Sequence, residues 1–566
     1  MDQQENQQLQ QQALSFIPLG GPEEVTKNMY VYEYGDEILV AECGIGFTDE
    51  TMLGVDLQLP DITYLMQTEK KIVGMVLSHG HEDHIGAVPF LVPELQKKHG
   101  KFPIFASRLT AALTNEKLKE FTFDPIVKTV DMDGDNTVAI GNHFKATFIR
   151  ITHSVPDSSH IFIETPVGGF YHGADYKFDM TPYDGNVSDY GAINKTGSKG
   201  VLCLLSDCLN VEQPGFSRTE AGIGANIDRA MEECKGKFIL TTYSSNIARL
   251  NQTIAAAERH NRKVCFVGRS LIKVKDLGLK LGLLHMDPKT EVTIDELKDI
   301  AGDQLVLLVA GSQGQENSAL TRIGEGEHKD IKIEPDDVVV FSSDAIPGNE
   351  ISVYALIDTL SKRGAKVLFS GQPNPYHVSG HGSSGDRQLL IGMTKPKFLV
   401  PISGNYRHMV KYKELAEGMG YRKDQVQLVG SGQELIFTPN AVRRGRKIPI
   451  KNVYIDQISG EEVESFVLRD RERLAHDGIV VVMTEVSADD GQLAENFGIV
   501  TRGFLEKDSE FLEENLKREI SQKLSNRHER ITNWVHLRKQ IENIATKYID
   551  NKLRRRPLVM SVVIEV

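Results

Sequence analysis

The chain has 566 residues, 40% of them hydrophobic and 25% charged, and a formal net charge of −13. That length accommodates three or four domains, and the composition is that of an ordinary folded protein. No apolar run is long enough to span a bilayer, no basic stretch and apolar core mark a secretory leader, and the acidic balance weighs against nonspecific coating of nucleic acid while leaving room for a locally basic channel. The five cysteines, Cys43, Cys203, Cys208, Cys234 and Cys265, are scattered without a C-x-x-C pair, which suits reduced thiols in a cytoplasmic protein.

Residues 1–13 are Gln-rich and polar and read as a disordered tail. Order is expected from about Leu14, where a strand leads to the turn at Gly20-Gly21. The runs 29–34 and 37–41 alternate in the manner of strands and read as a hairpin turning at Gly35-Asp36. Next comes the apolar stretch 72–77, a buried strand, followed directly by Ser78-His79-Gly80-His81-Glu82-Asp83-His84. This H-x-H-x-D-H run places three imidazoles and a carboxylate within six residues at a strand's end, enough to ligate two metal ions. Imidazole with carboxylate suits zinc, with manganese or iron as alternatives. The competing reading, a polar loop with coincidental histidines, is outweighed by the spacing and the strand before it. Strands and helix-like segments then alternate to about residue 210, an α/β layer pattern. His153 follows the strand 145–151, and Asp175 lies in the run 170–179 after another.

The H-x-H-x-D-H run resembles the signature of the metallo-β-lactamase superfamily. The resemblance implies an αββα sandwich with a two-metal hydrolytic site, and leaves the substrate open. It also implies that His79, His81 and His153 hold one metal, that Asp83 and His84 hold the second, and that Asp175 bridges them. Such a pair would generate a hydroxide near neutral pH.

Further motifs narrow the resemblance to the ribonuclease J family. They are Leu204-Leu205-Ser206-Asp207-Cys208-Leu209-Asn210, Gly311-Ser312-Gln313-Gly314-Gln315, the run 342–350 beginning Ser342-Ser343-Asp344, and above all His377-Val378-Ser379-Gly380-His381. The C-terminal blocks 480–482, 502–504, 555–557 and 563–566 are similar too. The implied architecture is a lactamase-like α/β domain over 14–210 that returns over 371–445. A β-CASP α/β domain is inserted over 211–370, a linker covers 446–453, and a small C-terminal α/β domain covers 454–566. The basic run Arg443-Arg444-Gly445-Arg446-Lys447 reads as part of the connector, either a solvated segment or a phosphate-contacting patch.

The implied activity is metal-dependent hydrolysis of single-stranded RNA, 5′-to-3′ exonucleolytic with endonuclease action as an addition, in rRNA maturation and mRNA decay. Asp83, His381 and Asp207 are the implied catalytic residues. His381 would stabilise the scissile phosphate or protonate the leaving 3′ oxygen, and Asp207 would orient a neighbouring imidazole or the metals. His377, Val378, Ser379, Gly380 and His381, with Ser342 and Ser343 across from them, would hold a 5′-monophosphate. The same residues read equally as turns at a domain junction. The resemblance also implies a homodimer or homotetramer, a place in an RNA-degradation complex, and no membrane. The segment 511–551 reads as two amphipathic helices before a strand over 558–566.

Two departures from the family pattern stand out. Ser403 occupies the position, 22 beyond His381, where the family has a histidine ligand. A hydroxyl is a much poorer zinc ligand, so the second of the two divalent ions should bind weakly or be Mn²⁺ or Mg²⁺. His408, five residues on, is poorly placed to substitute. Glu42 replaces an aspartate that helps orient the metal-site histidines. These departures motivate a second reading, a weakly active or non-catalytic RNA-binding subunit. A small-molecule hydrolase of the same fold is a third, opposed by the insertion and the H-V-S-G-H motif.

Overall fold

The computed structural model describes residues 12–48, 52–119, 121, 126–346, 348–370, 375–456, 461–487, 493–524 and 534–566. All of the Gln-rich tail except 12 and 13 therefore lies outside the described residues. The chain divides into two compact units, Met1–Phe47 with Gln58–Val453 and Thr48–Leu57 with Tyr454–Val566.

The first unit is built on two facing sheets. One has eight strands, in spatial order Ala441–Lys447, Gln433–Thr438, Leu14–Gly20, Met29–Tyr34, Glu37–Ala41, Lys71–Leu77, Pro103–Ala106 and Ile126–Thr129. The other has six, Phe398–Ile402, Val201–Asp207, Gly168–Gly173, Ser159–Thr165, Phe144–Arg150 and Thr137–Ile140. Alternation along each strand sends side chains to opposite faces. Phe16, Tyr32, Leu39 and Val76 thus meet Phe148, Ile161, Phe170, Leu205 and Val400 between the sheets. The other face of the second sheet, carrying Ile149, Tyr171 and Leu204, is covered by the helices Tyr190–Lys199, Ser384–Thr394 and Tyr406–Gly418 through Ile193, Leu390 and Met409. Beside the first sheet, the helix Val88–His99 packs on Arg108–Lys119, which lies against Pro103–Ala106. This is the αββα arrangement.

Between Val201–Asp207 and Phe398–Ile402 the chain makes a separate five-stranded parallel sheet, in order Lys263–Val267, Leu305–Val309, Phe238–Thr241, Val338–Phe341 and Lys366–Leu368. Its strands are nearly continuous apolar runs because both faces are buried. Leu240 and Leu308 face one helical layer with Leu250 and Ile254, and Ile239 and Leu307 face another with Ile323 and Leu356. After this layer the chain completes both older sheets. Asp207 pairs with Ile402 in parallel, and Leu14 pairs with Phe437 antiparallel.

The basic run expected to be a connector is instead the edge strand Ala441–Lys447. Its charges are accommodated locally: Arg446 donates to Glu434 at 2.7 Å, and Arg444 donates to the Leu428 carbonyl at 2.8 Å.

The second unit places Ile479–Val486 between Leu493–Arg502 and Leu558–Glu565. The helices Glu506–Leu524 and Trp534–Leu553 cover one face of this sheet with Leu512, Leu516, Ile520 and Leu537, Ile541, Ala545, at four-residue spacing. Among the described residues no helix is long and apolar enough to cross a membrane.

Phe170 is fully buried, edge-on to Phe437 at 5.1 Å and to Tyr32 at 5.8 Å. Phe170→Ala is expected to destabilise the first unit by about 3–5 kcal/mol, read as a lower urea midpoint.

Candidate metal centre

The residues of the candidate site stand at strand ends drawn from both sheets. His79, His81, Asp83 and His84 follow Lys71–Leu77, the last two on the single helical turn Glu82–Ile85. His153 follows Phe144–Arg150, Asp175 follows Gly168–Gly173, Asp207 ends Val201–Asp207, and Ser403 follows Phe398–Ile402.

Two candidate metal clusters result, with a third grouping of Asp175, Asp207 and His381 beside them. The ligand atoms of His79, His81, His153 and Asp175 lie within 4.8 Å of one another, as do those of Asp83, His84 and Asp175. His81 Nδ1 is 3.1 Å from both His79 Nε2 and His153 Nε2. His153 Nδ1 donates to the Gly380 carbonyl at 2.8 Å, so its Nε2 faces the cluster as a bare lone pair. Burial, together with the neighbouring imidazoles, holds His79 and His153 well below the ordinary histidine range, and burial takes His81 down to about 4. Neutral, converging lone pairs are what a cation requires and what the imidazoles cannot supply to one another. Asp175 is buried, and its Oδ1 has no hydrogen-bond partner within the protein. The donor set therefore fits a divalent ion.

Glu42 keeps contact despite its extra methylene. Its Oε2 is 3.2 Å from His84 Nδ1, its Oε1 is 3.5 Å from His172 Nε2, and Ser78 N donates to it at 3.2 Å. Burial alone would raise this carboxyl, but His84 and His172 hold it down to about 2.

His381 Nε2 reaches to 3.8 Å from Asp175 Oδ2, while its Nδ1 is 2.9 Å from Asp207 Oδ2. The same Asp207 oxygen accepts from the buried Arg387 Nη2 at 2.9 Å. Burial would lower His381, but Asp207 and Asp175 outweigh it and hold the imidazole above its ordinary value.

The expected phosphate-binding group divides. Ser343 is buried, with its hydroxyl unpartnered. Ser342 is turned inward: it donates to the Tyr376 carbonyl and accepts from Arg249, which also pairs with Glu220 at 2.6 Å. Its hydroxyl is thus committed to the interior, a correction to its expected place on the pocket wall. Val378 packs into the core of the inserted layer. Ser379 Oγ accepts from Asn210 at 2.9 Å and from the His381 amide at 3.1 Å. His377 Nδ1 is 3.2 Å from the Ser342 carbonyl, and its Nε2 is 3.8 Å from Asp344. Burial lowers its pKa to about 4. At Gly380 a Cβ would lie 2.8 Å from Ser154 Oγ and 2.9 Å from His153 Cε1.

Ser403 belongs to neither cluster, and its hydroxyl donates to Asn28 Oδ1 at 3.0 Å. His408 lies against Arg407 at 3.1 Å and Glu212 at 3.7 Å, outside the clusters. Sequence reading passed over Asn28, Arg387 and Arg249. Asn28 makes its contacts with Asp83, His84 and Ser403, all distant in the chain, and a buried arginine carries no local signal.

Comparison with known proteins adds to this geometry. Family models described as "Beta-lactamase superfamily domain", "Ribonuclease J, beta-CASP domain" and "Ribonuclease J C-terminal domain" match residues 51–182, 235–360 and 466–566. The chain is 36% identical to ribonuclease J of Synechocystis sp., over 97% of this chain and 86% of that one. It is 35% identical to ribonuclease J of Thermus thermophilus, over 98% and 96%. It is 33% identical to ribonuclease J2 of Bacillus subtilis, over 97% and 98%. Among solved structures, a protein of unknown function from Enterococcus faecalis V583 covers 75% of this chain and 100% of its own, with a TM-score of 0.52 at 15% identity, a likeness of fold alone.

Gly380→Ala should displace the His153 ring and weaken divalent-ion binding about 10–100-fold with the fold retained. Calorimetric titration of metal-stripped protein checks this, and unchanged affinity would dismiss the role given to that close approach.

Proposed function

The chain belongs to the ribonuclease J family, and on that premise we propose that it is a metal-dependent ribonuclease acting on single-stranded RNA at the His/Asp clusters. The observation that carries this reading is the full set His79, His81, His153 and Asp175, joined by Asp83 and His84, at one end of the sandwich. A non-catalytic subunit is not favoured, because Ser403 departs from the pattern while these six side chains converge.

The proposed reaction is 5′-to-3′ release of mononucleotides from 5′-monophosphorylated RNA, with endonuclease action beside it, in RNA maturation and decay in the cytoplasm. Two divalent ions, zinc first among them, would neutralise phosphate charge and activate water when bound. His381 holds a proton at Nε2 on the Asp175 side, and Asp207 fixes its ring through Nδ1. That proton is placed to reach the leaving 3′ oxygen. Ser343 supplies a free hydroxyl for the 5′ phosphate, beside the turn His377–His381. We assign 14–210 and 371–445 to the lactamase-like domain, 211–370 to the β-CASP domain and 454–566 to the C-terminal domain. The strand pairings across the insertion support this division. A homodimer or homotetramer within an RNA-degradation complex belongs to the same proposal.

The first test is decay of a 5′-monophosphorylated single-stranded RNA by metal-stripped protein resupplied with Zn²⁺, Mn²⁺ or Mg²⁺. Mononucleotides are expected with at least one ion and none with His81→Ala. His381→Ala should lower the rate about 10²–10⁴-fold while its ion content stays that of wild type. RNA that is bound but never cut, with any ion, would count against the reading.

A further inference from the structure

The two clusters share Asp175 but are unequal in donors. The first offers three imidazoles, and the second offers His84 alone with the carboxylates of Asp83 and Asp175. Bordering the second is Asn28, wholly buried. Its Nδ2 lies 3.2 Å from the Asp83 carbonyl and 3.4 Å from the Val25 carbonyl, groups that can only accept. Those carbonyls settle which end of the carboxamide carries the hydrogens. At the other end, Oδ1 accepts from Tyr30 Oη at 2.7 Å and Ser403 Oγ at 3.0 Å.

The same Nδ2 is 3.3 Å from His84 Nε2. That nitrogen is the one turned to the second cluster, 3.3 Å from Asp175 Oδ2 and 3.5 Å from Asp83 Oδ2. An amide NH₂ has hydrogens and no available lone pair, so it presents positive charge where a cation would need an electron pair. It also lies against Nε2 of the only imidazole in that cluster, on the side a cation would have to approach. Ser403, its hydroxyl directed to Asn28, adds no ligand and instead helps hold the carboxamide in this orientation.

We propose that Asn28, clamped by Ser403 and Tyr30, is a brake on the second cation position. The protein holds one ion tightly at His79, His81, His153 and Asp175, and takes a second only when His84 gives up its contact with Asn28. The proposal rests on reading the His/Asp clusters as cation sites, and Asn28 and Ser403 act in it as positioning residues.

The test counts ions and needs no RNA. Metal-stripped full-length protein is titrated with Zn²⁺ by calorimetry, then desalted, and the retained ion is measured by mass spectrometry. Wild type should retain one equivalent, with the second binding at least about tenfold more weakly and being lost. Ser403→His, which supplies an imidazole, should retain two. Asn28→Ala removes the NH₂ and should tighten the second step about tenfold with the first unchanged. Ser403→Ala loosens the clamp without adding a ligand and should give a smaller gain. Retention of the first ion reports that each variant is folded. Two equivalents retained by wild type, or a second step unmoved by both alanine variants, overturns the proposal and leaves the ribonuclease reading standing. No retained ion in wild type overturns the proposal, and the ribonuclease reading falls with it only if RNA is also left uncut with every ion supplied.

Discussion

Four imidazoles, those of His79, His84, His153 and His381, come within 4.0 Å of a single oxygen, Asp175 Oδ2. They arrive from different directions. His79 and His84 come from the end of a strand in the first sheet, while Asp175 and His153 come from strands in the second. The convergence therefore measures the separation of two sheets, and that separation is set by the side chains between them, among them Phe16, Tyr32, Phe148 and Phe170. A defect in this core is transmitted to the ligand atoms. Asp83, Asp175 and Glu42 are also brought close together in a poorly solvated place, an arrangement that cations and imidazolium can neutralise and water cannot.

A second set of buried charges ties the inserted layer to this site. Lys177, two residues beyond Asp175, lies 3.4 Å from Glu220 and 3.7 Å from Asp179. Glu220 in turn pairs with Arg249, which also donates to the Tyr376 carbonyl. These groups are almost without solvent, so a shift of the inserted layer would leave charges unpaired at a cost of several kcal/mol. The inserted layer, against which His377 rests, is thereby held in place by electrostatics as well as by packing.

Much of this was legible in the sequence because it was local. The H-x-H-x-D-H run, the strand before it and the period-four helices of the second unit carry their structure in their spacing. The αββα class followed from the same motif. What stayed hidden depends on pairing between distant segments. That Ser342 turns inward is decided by Arg249 and Tyr376, and that Gly380 must be glycine is decided by His153. The basic run became an edge strand because Gln433–Thr438 offers it a partner and Glu434 a counter-charge. Charge and composition alone had pointed to a connector. Ser403 was visible as a departure, but its commitment to Asn28, 375 positions away, was not.

The pairing of Leu14 with Phe437 closes the first sheet with residues about 420 apart in the chain. During synthesis at about 5–20 residues per second, the N-terminal strand therefore waits on the order of tens of seconds for this neighbour to emerge. Throughout that time the edge formed by Leu14–Gly20 stands open, with apolar side chains on the strand and unpaired backbone groups along it. The inserted layer has a parallel sheet contained between residues 238 and 368 and can form meanwhile. The chain order therefore allows the middle to mature first: the N-terminal strand has Met29–Tyr34 on one side early, while its other side is covered only by what comes late.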